Sequence, residues 1–241
     1  MASLKEVKGR IASVNSTRKI TSAMKMVASA KLHKAQAAIE SMLPYERRLH
    51  HILTDFMSNC TEVTSPFIVK REVKKVAVVV FASNTSLCGG FNANVIRHLV
   101  DLLAEYKPLG LENILVFPVG KKVADAVRKL GFRIEGDFQH MADKPSYQEA
   151  ADLAADLMKR FLHGDVDKVE LLYNHFKSTA SQILTRETYL PIDLNNEKKE
   201  EERTIDYILE PSAEELMQEM LPKVLRMKMF TVLPVSYTHL R

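Results

Sequence analysis

Four places in the sequence hold residue types that could do chemistry. The first is a loop after an apolar run, Ala82-Ser83-Asn84-Thr85-Ser86-Leu87-Cys88-Gly89-Gly90-Phe91-Asn92. Paired glycines between a strand and a helix are where backbone amides can cradle a phosphate. There is no G-x-G-x-x-G and no Gly-Lys-Ser/Thr here, so a tight turn explains Gly89 and Gly90 more economically. The second is Gly120-Lys121-Lys122, which also follows an apolar run but lacks both the glycine spacing and the hydroxyl of a phosphate-binding loop. The third is Cys88, at a helix entrance where a thiolate would be stabilised. No histidine is identifiable as its partner, and a small residue packing the turn is the simpler reading. The fourth is the set of eight histidines, which show no His-Glu-x-x-His or other ligand spacing. No catalytic, cofactor-binding or metal-binding constellation emerges, and none of the three is expected.

Charge is more informative. The 241 residues carry a net charge of +4. Residues 1–36 hold Lys5, Lys8, Arg10, Arg18, Lys19, Lys25, Lys31 and Lys34 against a single acid, Glu6, so this arm is +7 and the other 205 residues are −3. A basic arm on a slightly acidic body fits a nucleic-acid or membrane binder, a targeting peptide, or a helix made for an acidic partner.

The arm reads as one long helix. Ser3 and Glu6 have capping-box spacing. Steps of three and four from Leu4 pass through Val7, Ile11, Val14, Arg18, Thr21, Lys25, Ala28, Leu32, Ala35, Ile39, Met42, Glu46, Leu49, Leu53 and Phe56, and twelve of these sixteen are apolar. That is a coiled-coil seam, about 80 Å long at ~1.5 Å per residue. Pro44 is expected to bend it. The polar positions cluster at Arg18, Thr21 and Lys25, where Ile20, Met24 and Val27 carry the apolar stripe to a neighbouring face. This is either a stutter or a stretch that meets something other than a coiled-coil partner, and the pattern leaves both open. The seam runs past any cleavable targeting length. The basic block of a zipper protein is denser and lacks a regular apolar seam, which weakens the DNA reading.

The elements between the two ends alternate. Residues 74–81 suit a strand buried on both faces. A helix from about Ala93 to Tyr106, a strand Ile114–Pro118, a helix Lys121–Leu130 and a short strand Phe132–Ile134 follow. Ser146 and Glu149 repeat the capping-box spacing and open a helix to about Leu162. Val169–Phe176 and Ile183–Tyr189 read as two further strands, antiparallel to each other. This is a Rossmann-like, three-layer α/β domain over residues 74–192, poor in turns with 8 Gly and 9 Pro. A charged linker, 193–211, leads to a helix from Ser212, itself paired with Glu215 in a third capping box. There Ala213, Met217, Met220, Val224, Met227 and Thr231 keep heptad spacing, with Leu216, Leu221, Leu225 and Val232 on an adjacent stripe. The expected organisation is thus an N-terminal coiled-coil helix (1–57), the α/β domain (74–192), the linker (193–211) and an antiparallel coiled-coil helix (212–233). No run approaches ~18 apolar residues. Cys60 and Cys88, without a secretory pattern, suggest a reducing compartment.

Three blocks resemble the γ subunit family of rotary proton-translocating ATP synthases. They are Arg18-Lys19-Ile20-Thr21-Ser22-Ala23-Met24-Lys25-Met26-Val27-Ala28 with Ala30-Lys31-Leu32, then Leu87-Cys88-Gly89-Gly90-Phe91-Asn92, then Tyr207-Ile208-Leu209-Glu210-Pro211-Ser212 leading to Leu221-Pro222. Tyr173-Asn174 and Phe176-Lys177-Ser178 support them, and the likeness runs to about Leu233. The resemblance implies a rotor shaft with no chemistry of its own. Its paired helices turn inside a ring of α and β subunits, and its α/β foot sits beside the ε subunit and the c-ring. It implies that Arg18, Lys19, Met24 and Lys25 meet acidic loops of the β subunits. No cofactor and no nucleic acid are implied, membrane contact comes only through the complex, and the place is peripheral, on the cytoplasmic face of a bacterial membrane. Asn84-Thr85-Ser86 stand where the family commonly has Asp-Arg-Gly. Residues 234–241 break the heptads and are expected to be a non-native tail on a truncated C-terminal helix, leaving Leu4–Ala28 without a partner strand. Competing readings are a nucleotide-binding enzyme using the Gly89-Gly90 loop and a basic-arm binder of nucleic acid or anionic membrane.

Overall fold

The computed structural model describes residues 3–59, 65–86, 88–176, 182–192 and 213–237. Within these ranges the chain forms a long N-terminal helix, α1 (Leu4–Asn59), and a five-stranded sheet with helices on both faces. The elements after α1 are β1 (Val76–Phe81), α2 (Phe91–Tyr106), β2 (Ile114–Val119), α3 (Lys121–Lys129), β3 (Arg133–Ile134), α4 (Gln139–Asp143), α5 (Tyr147–His163), β4 (Lys168–Phe176), β5 (Gln182–Leu190) and α6 (Ala213–Tyr237). Strand order is β3-β2-β1-β4-β5. The first four strands are parallel and β5 closes the edge antiparallel to β4, in the pairing expected of these two strands.

The apolar run at residues 76–81 is continuous because both faces of β1 are covered. Ala77, Val79 and Phe81 face a layer built from α4, α5 and α6, whereas Val76, Val78 and Val80 face α2 and α3. Successive side chains of a strand point to opposite faces, so no position of a doubly covered strand can be polar without cost. Val76 stands opposite Ile114 on one side and Lys168 on the other. The Asp167 carboxylate accepts from the amides of Lys74 and Lys75, both at 2.9 Å, and so aligns the starts of β1 and β4.

Local signals are used selectively. Ser3 Oγ accepts from the Glu6 amide at 3.3 Å, but the Glu6 carboxylate turns to Arg10 at 2.8 Å instead of closing the box. Ser146 precedes α5 without a side-chain cap bond, and Glu149 reaches His140 at 3.3 Å. The proposed third box at Ser212, the third family-like block up to that residue and the linker 193–211 lie outside the described residues. α1 continues unbroken through Pro44. The short helix α4, which has no apolar period of its own, was not anticipated.

α6 has two attachments. It packs along α1, and it supplies Met217, Leu221, Leu225, Met229 and Leu233 to the same core as α5 and the sheet. These five residues recur every four positions, the spacing of a ridge that fits a groove between neighbours. Each fully buried side chain of this kind stabilises by about 1.5–3 kcal/mol. The face of α6 turned to the domain is therefore the Leu221–Leu225 stripe extended by Met217, Met229 and Leu233. Met220 and Val224 of the expected heptad seam are only partly covered.

One polar cluster lies in the sheet. Glu170 on β4 is 2% exposed. It is bonded by Lys168 (2.6 Å), by Arg186 of β5 (2.9 and 3.2 Å) and by the Tyr106 hydroxyl at the end of α2 (2.8 Å). Arg186 also reaches Glu105 at 2.6 Å. Burial by itself pushes the Glu170 carboxyl up. The bonds from Arg186, Lys168 and Tyr106 outweigh it and hold the group below the ordinary value of 4.5. The same bonds overcome the burial penalty on Arg186 and Lys168 and raise both.

Two outcomes follow from this architecture. A carboxylate with a depressed folded pKa contributes stability that is complete above its unfolded value and is lost as pH falls through the folded one. Glu170→Gln should therefore cost about 2–4 kcal/mol near neutrality, because two cations lose their partner. It should also flatten the acid side of the stability profile below the ordinary carboxylate value, as read by urea titration across pH. Gly120→Ala should cost at least ~3 kcal/mol by the same titration. Gly120 has φ +116°, and an added Cβ would lie 2.2 Å from the Ala82 carbonyl oxygen.

Candidate functional site

The loop after β1 is filled by its own side chains. The Asn92 carboxamide, buried at the start of α2, accepts from the Ser83 amide at 3.0 Å and donates to Ser83 Oγ (3.1 Å) and the Thr85 carbonyl (2.9 Å). Asn84 works outward. Its Nδ2 donates to the Gln139 carbonyl at 2.8 Å, and its Oδ1 accepts from the Lys121 amide at 2.7 Å. The first amide of α3, which a phosphate-binding Gly-Lys loop would offer to its ligand, is thus already satisfied. Gly89 has φ +57° and needs to be glycine; Gly90, at φ −80°, does not use that freedom. Cys88 is buried, and its thiol donates to the Thr85 carbonyl with the sulfur 3.6 Å from the oxygen. This geometry seals a turn. Leu87 of the same motif lies outside the described residues.

The replacement of Asp-Arg-Gly by Asn84-Thr85-Ser86 also gains a local account. A carboxylate at position 84 could accept from Lys121 but could not donate to Gln139; the carboxamide does both. Asn84 therefore ties the β1 loop to α3 and α4 together.

The opposite character is found on α1. Residues 3–27 are exposed without interruption. The exposed side chains include Leu4 (75%), Val7, Ile11, Val14, Ile20, Met24 (60%), Met26 and Val27. Ala28 is the first residue of the arm to be partly covered. The Thr17 and Thr21 hydroxyls return to carbonyls one turn back, at 3.0 Å each, so these polar positions are satisfied within the helix. Arg18, Lys19 and Lys25 project, and no ion pair among the described residues engages them. Apolar stripes of this extent flanked by one sign of charge mark interaction surfaces. The structure brings Arg18, Lys19, Met24 and Lys25 onto one stretch of exposed helix. The Leu-Cys-Gly-Gly-Phe-Asn motif lies elsewhere, at the end of β1.

A third feature escaped the sequence. β5 alternates its polar groups between the two faces of the sheet. Arg186 points to the Glu170 cluster, while Glu187 and Tyr189 point to α6. Lys228 of α6 bonds Glu187 at 2.6 Å, and Tyr173 donates to the other oxygen of Glu187 at 3.1 Å. The Tyr189 hydroxyl, 2% exposed, donates to the Leu225 carbonyl at 2.8 Å. Burial pushes that hydroxyl far above the usual tyrosine range, with the Arg226 charge opposing it. The period-two pattern of β5 would have found these faces. What covers each face could not be read without α6 in place.

Among the described residues no group of three or more His, Cys, Asp or Glu is placed to hold a metal ion, and no helix is long and apolar enough to cross a membrane. A cleft of about 400 Å³ lies at the strand N-termini, lined by side chains of both signs, among them Lys75, Arg133, Lys159 and Asp165. Arg133 and Arg160 are already engaged there by Glu135.

Comparison with known proteins agrees with these features. A family model described as ATP synthase matches residues 3–238. The ATP synthase gamma chain of Phocaeicola vulgatus is 79% identical over 235 residues, covering 97% of this chain and 81% of that protein. The ATP synthase gamma chain of Bacteroides thetaiotaomicron is 60% identical over 242 residues, covering 96% and 81%. Among solved structures, one of the Tetrahymena thermophila mitochondrial ATP synthase, central stalk and c-ring, aligns with a TM-score of 0.62 at 20% identity over 92% of this chain, which supports the fold. On the extent of its match and the identity of these relatives, the chain belongs to the ATP synthase gamma chain family.

Proposed function

We propose that this chain is the rotating shaft of an ATP synthase and has no catalytic site of its own. The carrying observation is the contrast between its two regions. The helix arm offers an exposed apolar and basic surface. The loop after β1 that holds the paired glycines is braced by its own side chains, which favours a protein partner over a nucleotide. In this reading α1 and α6 occupy the centre of a ring of alternating α and β subunits, and the α/β domain is the foot, resting on the ε subunit and the c-ring. Proton flow turns the c-ring and foot. The arm then presents different faces to each β subunit in turn and cycles its nucleotide site through different affinities. The work is done by differential contact, since a ligand or partner shifts an equilibrium only by what it binds differently in the two states. The complex places the chain peripherally, on the cytoplasmic face of a bacterial membrane.

Within this reading Arg18, Lys19 and Lys25 face acidic loops of the β subunits, and Met24, 60% exposed, supplies apolar contact beside them. Exposed opposite charges at about 4 Å attract by about 1 kcal/mol in water, more where the ring excludes solvent, and the attraction is screened over ~8 Å at physiological salt.

Two measurements check this. The isolated chain should hydrolyse no ATP above background and should co-purify with the α and β subunits of an ATP synthase; hydrolysis by the isolated chain that disappears with Gly89→Ala would favour a nucleotide enzyme instead. Arg18→Glu combined with Lys25→Glu should slow steady-state hydrolysis by the assembled catalytic sector several-fold, corresponding to ~0.5 kcal/mol per lost pair. The deficit should narrow as salt is raised. A rate equal to the parent's at low salt would remove these residues from the contact.

A further inference from the structure

A shaft helix that carries torque must be held against rolling about its own axis, and the apolar ridge of α6 cannot do this by itself. Contacts through Met217, Leu221, Leu225, Met229 and Leu233 are non-directional, and their strength depends on the area buried rather than on orientation. Two of the ridge residues are methionines, which refill a gap by changing rotamer. The groove limits a roll of α6 by shape, but adaptable methionines at two of its five positions leave it a softer restraint on angle than directional bonds. Hydrogen bonds and close ion pairs behave differently, because they weaken steeply with angle and distance.

Two such directional contacts between α6 and β5 stand among the described residues, three residues apart on one side of the helix. The Leu225 carbonyl accepts from the Tyr189 hydroxyl at 2.8 Å, and Lys228 bonds Glu187 at 2.6 Å. Residues three apart on a helix share a face, and residues two apart on a strand share a face. Glu187 and Tyr189 are thus matched to Leu225 and Lys228 in one orientation of α6 only. Tyr173 holds the second oxygen of Glu187 from the neighbouring strand, so the acceptor is itself fixed. A rolled helix would leave the buried Tyr189 hydroxyl unpartnered, which costs more than losing an exposed bond.

We propose that Tyr189, Glu187 and Lys228 form a roll lock that sets the angle of α6 relative to the foot, and that they are positioning residues for torque transfer. This rests on the shaft reading above. The foot receives the driving torque and α6 is part of the element that delivers it. Without the lock, part of each turn of the foot would be absorbed by rolling at the junction.

The test separates the lock from the shaft reading. In full-length chain with Cys60→Ser and Cys88→Ala, spin labels at Lys159→Cys on α5 and Gln218→Cys on α6 report the angle between helix and domain by electron-electron distance measurement. The parent should give one narrow distribution. Tyr189→Phe with Glu187→Gln should at least double its width or shift its mean, and Glu187→Lys with Lys228→Glu should restore it, an outcome a loss of bulk stability would not produce. Unchanged distributions in both Tyr189→Phe and the double variant overturn the lock. Tyr189→Phe removes a single hydroxyl and keeps the test open where the double variant fails to melt cooperatively. In assembled complexes, protons pumped per ATP hydrolysed should fall at least threefold in the double variant and recover in the swapped pair. An unchanged ratio also overturns the proposal. A parent chain that does not assemble with the α and β subunits overturns the shaft reading, while the distance measurement still decides whether α6 is locked.

Discussion

A 56-residue helix cannot bury its own apolar stripe, and this constraint shapes the rest of the chain. About 84 Å of helix is several times the width of the sheet it springs from. Something else must cover the excess, or it stays wet. The chain solves half of the problem. Ala28 and Gln36 are partly covered, and α6 packs along α1. The stretch from Leu4 to Val27 keeps its leucines, valines and methionines in solvent. A soluble monomer gains nothing from such a stripe, whereas a shaft needs one wherever its housing touches it. The basic side chains interleaved with it keep the exposed arm soluble and give it a sign.

The domain obeys a different rule around β1 and β4, where the polar side chains are spent on structure. Asn92, Asn84 and Ser83 close the β1 loop upon itself. The buried carboxylate of Glu170 is satisfied by the half-buried Lys168 and the more exposed Arg186 across β4, β5 and the end of α2. Buried ion pairs contribute less net stability than apolar packing of the same volume, because desolvation offsets most of the attraction. Their value here is directional. They fix how the edge strand sits against α2, which apolar contact alone leaves loose.

Much of this was legible from residue patterns, and the exceptions share a cause. The strands at 76–81 and 114–119 declare themselves because both faces are buried and no polar position interrupts them. The arm declares itself by its register and charge. α4 was not visible, since five residues carry too little period to detect. The two capping boxes at Ser3 and Ser146 were half used or unused, because Arg10 and His140 offered the acids better partners than the backbone did. The heptad seam and the adjacent Leu221–Leu225 stripe of α6 were both visible, but not which of them turns to the domain. Apolar residues occupy two adjacent stripes of that helix, and only the shape of the groove beside α5 and the sheet decides which faces inward. Pairings between residues far apart in sequence, Glu170 with Tyr106 and Tyr189 with Leu225, leave no mark in any local window.

β5 joins the two regimes. It is an edge strand, and its free edge would ordinarily be its liability. Its side chains instead serve both faces at once. Arg186 anchors one face to the Glu170 cluster and through it to α2, while Glu187 and Tyr189 anchor the other to α6. Strand alternation makes this possible with adjacent residues, and it makes the two anchors rigid relative to each other, because a strand cannot turn one side chain without turning the next. Glu105 and Tyr106 at the end of α2 bond Arg186, and its neighbour Glu187 bonds Lys228 of α6, so one strand links α2 to α6 by ion pairs and hydrogen bonds. Stiffness along this route comes from hydrogen-bonded geometry rather than from buried area, which is why so narrow a strand can couple a domain to a shaft.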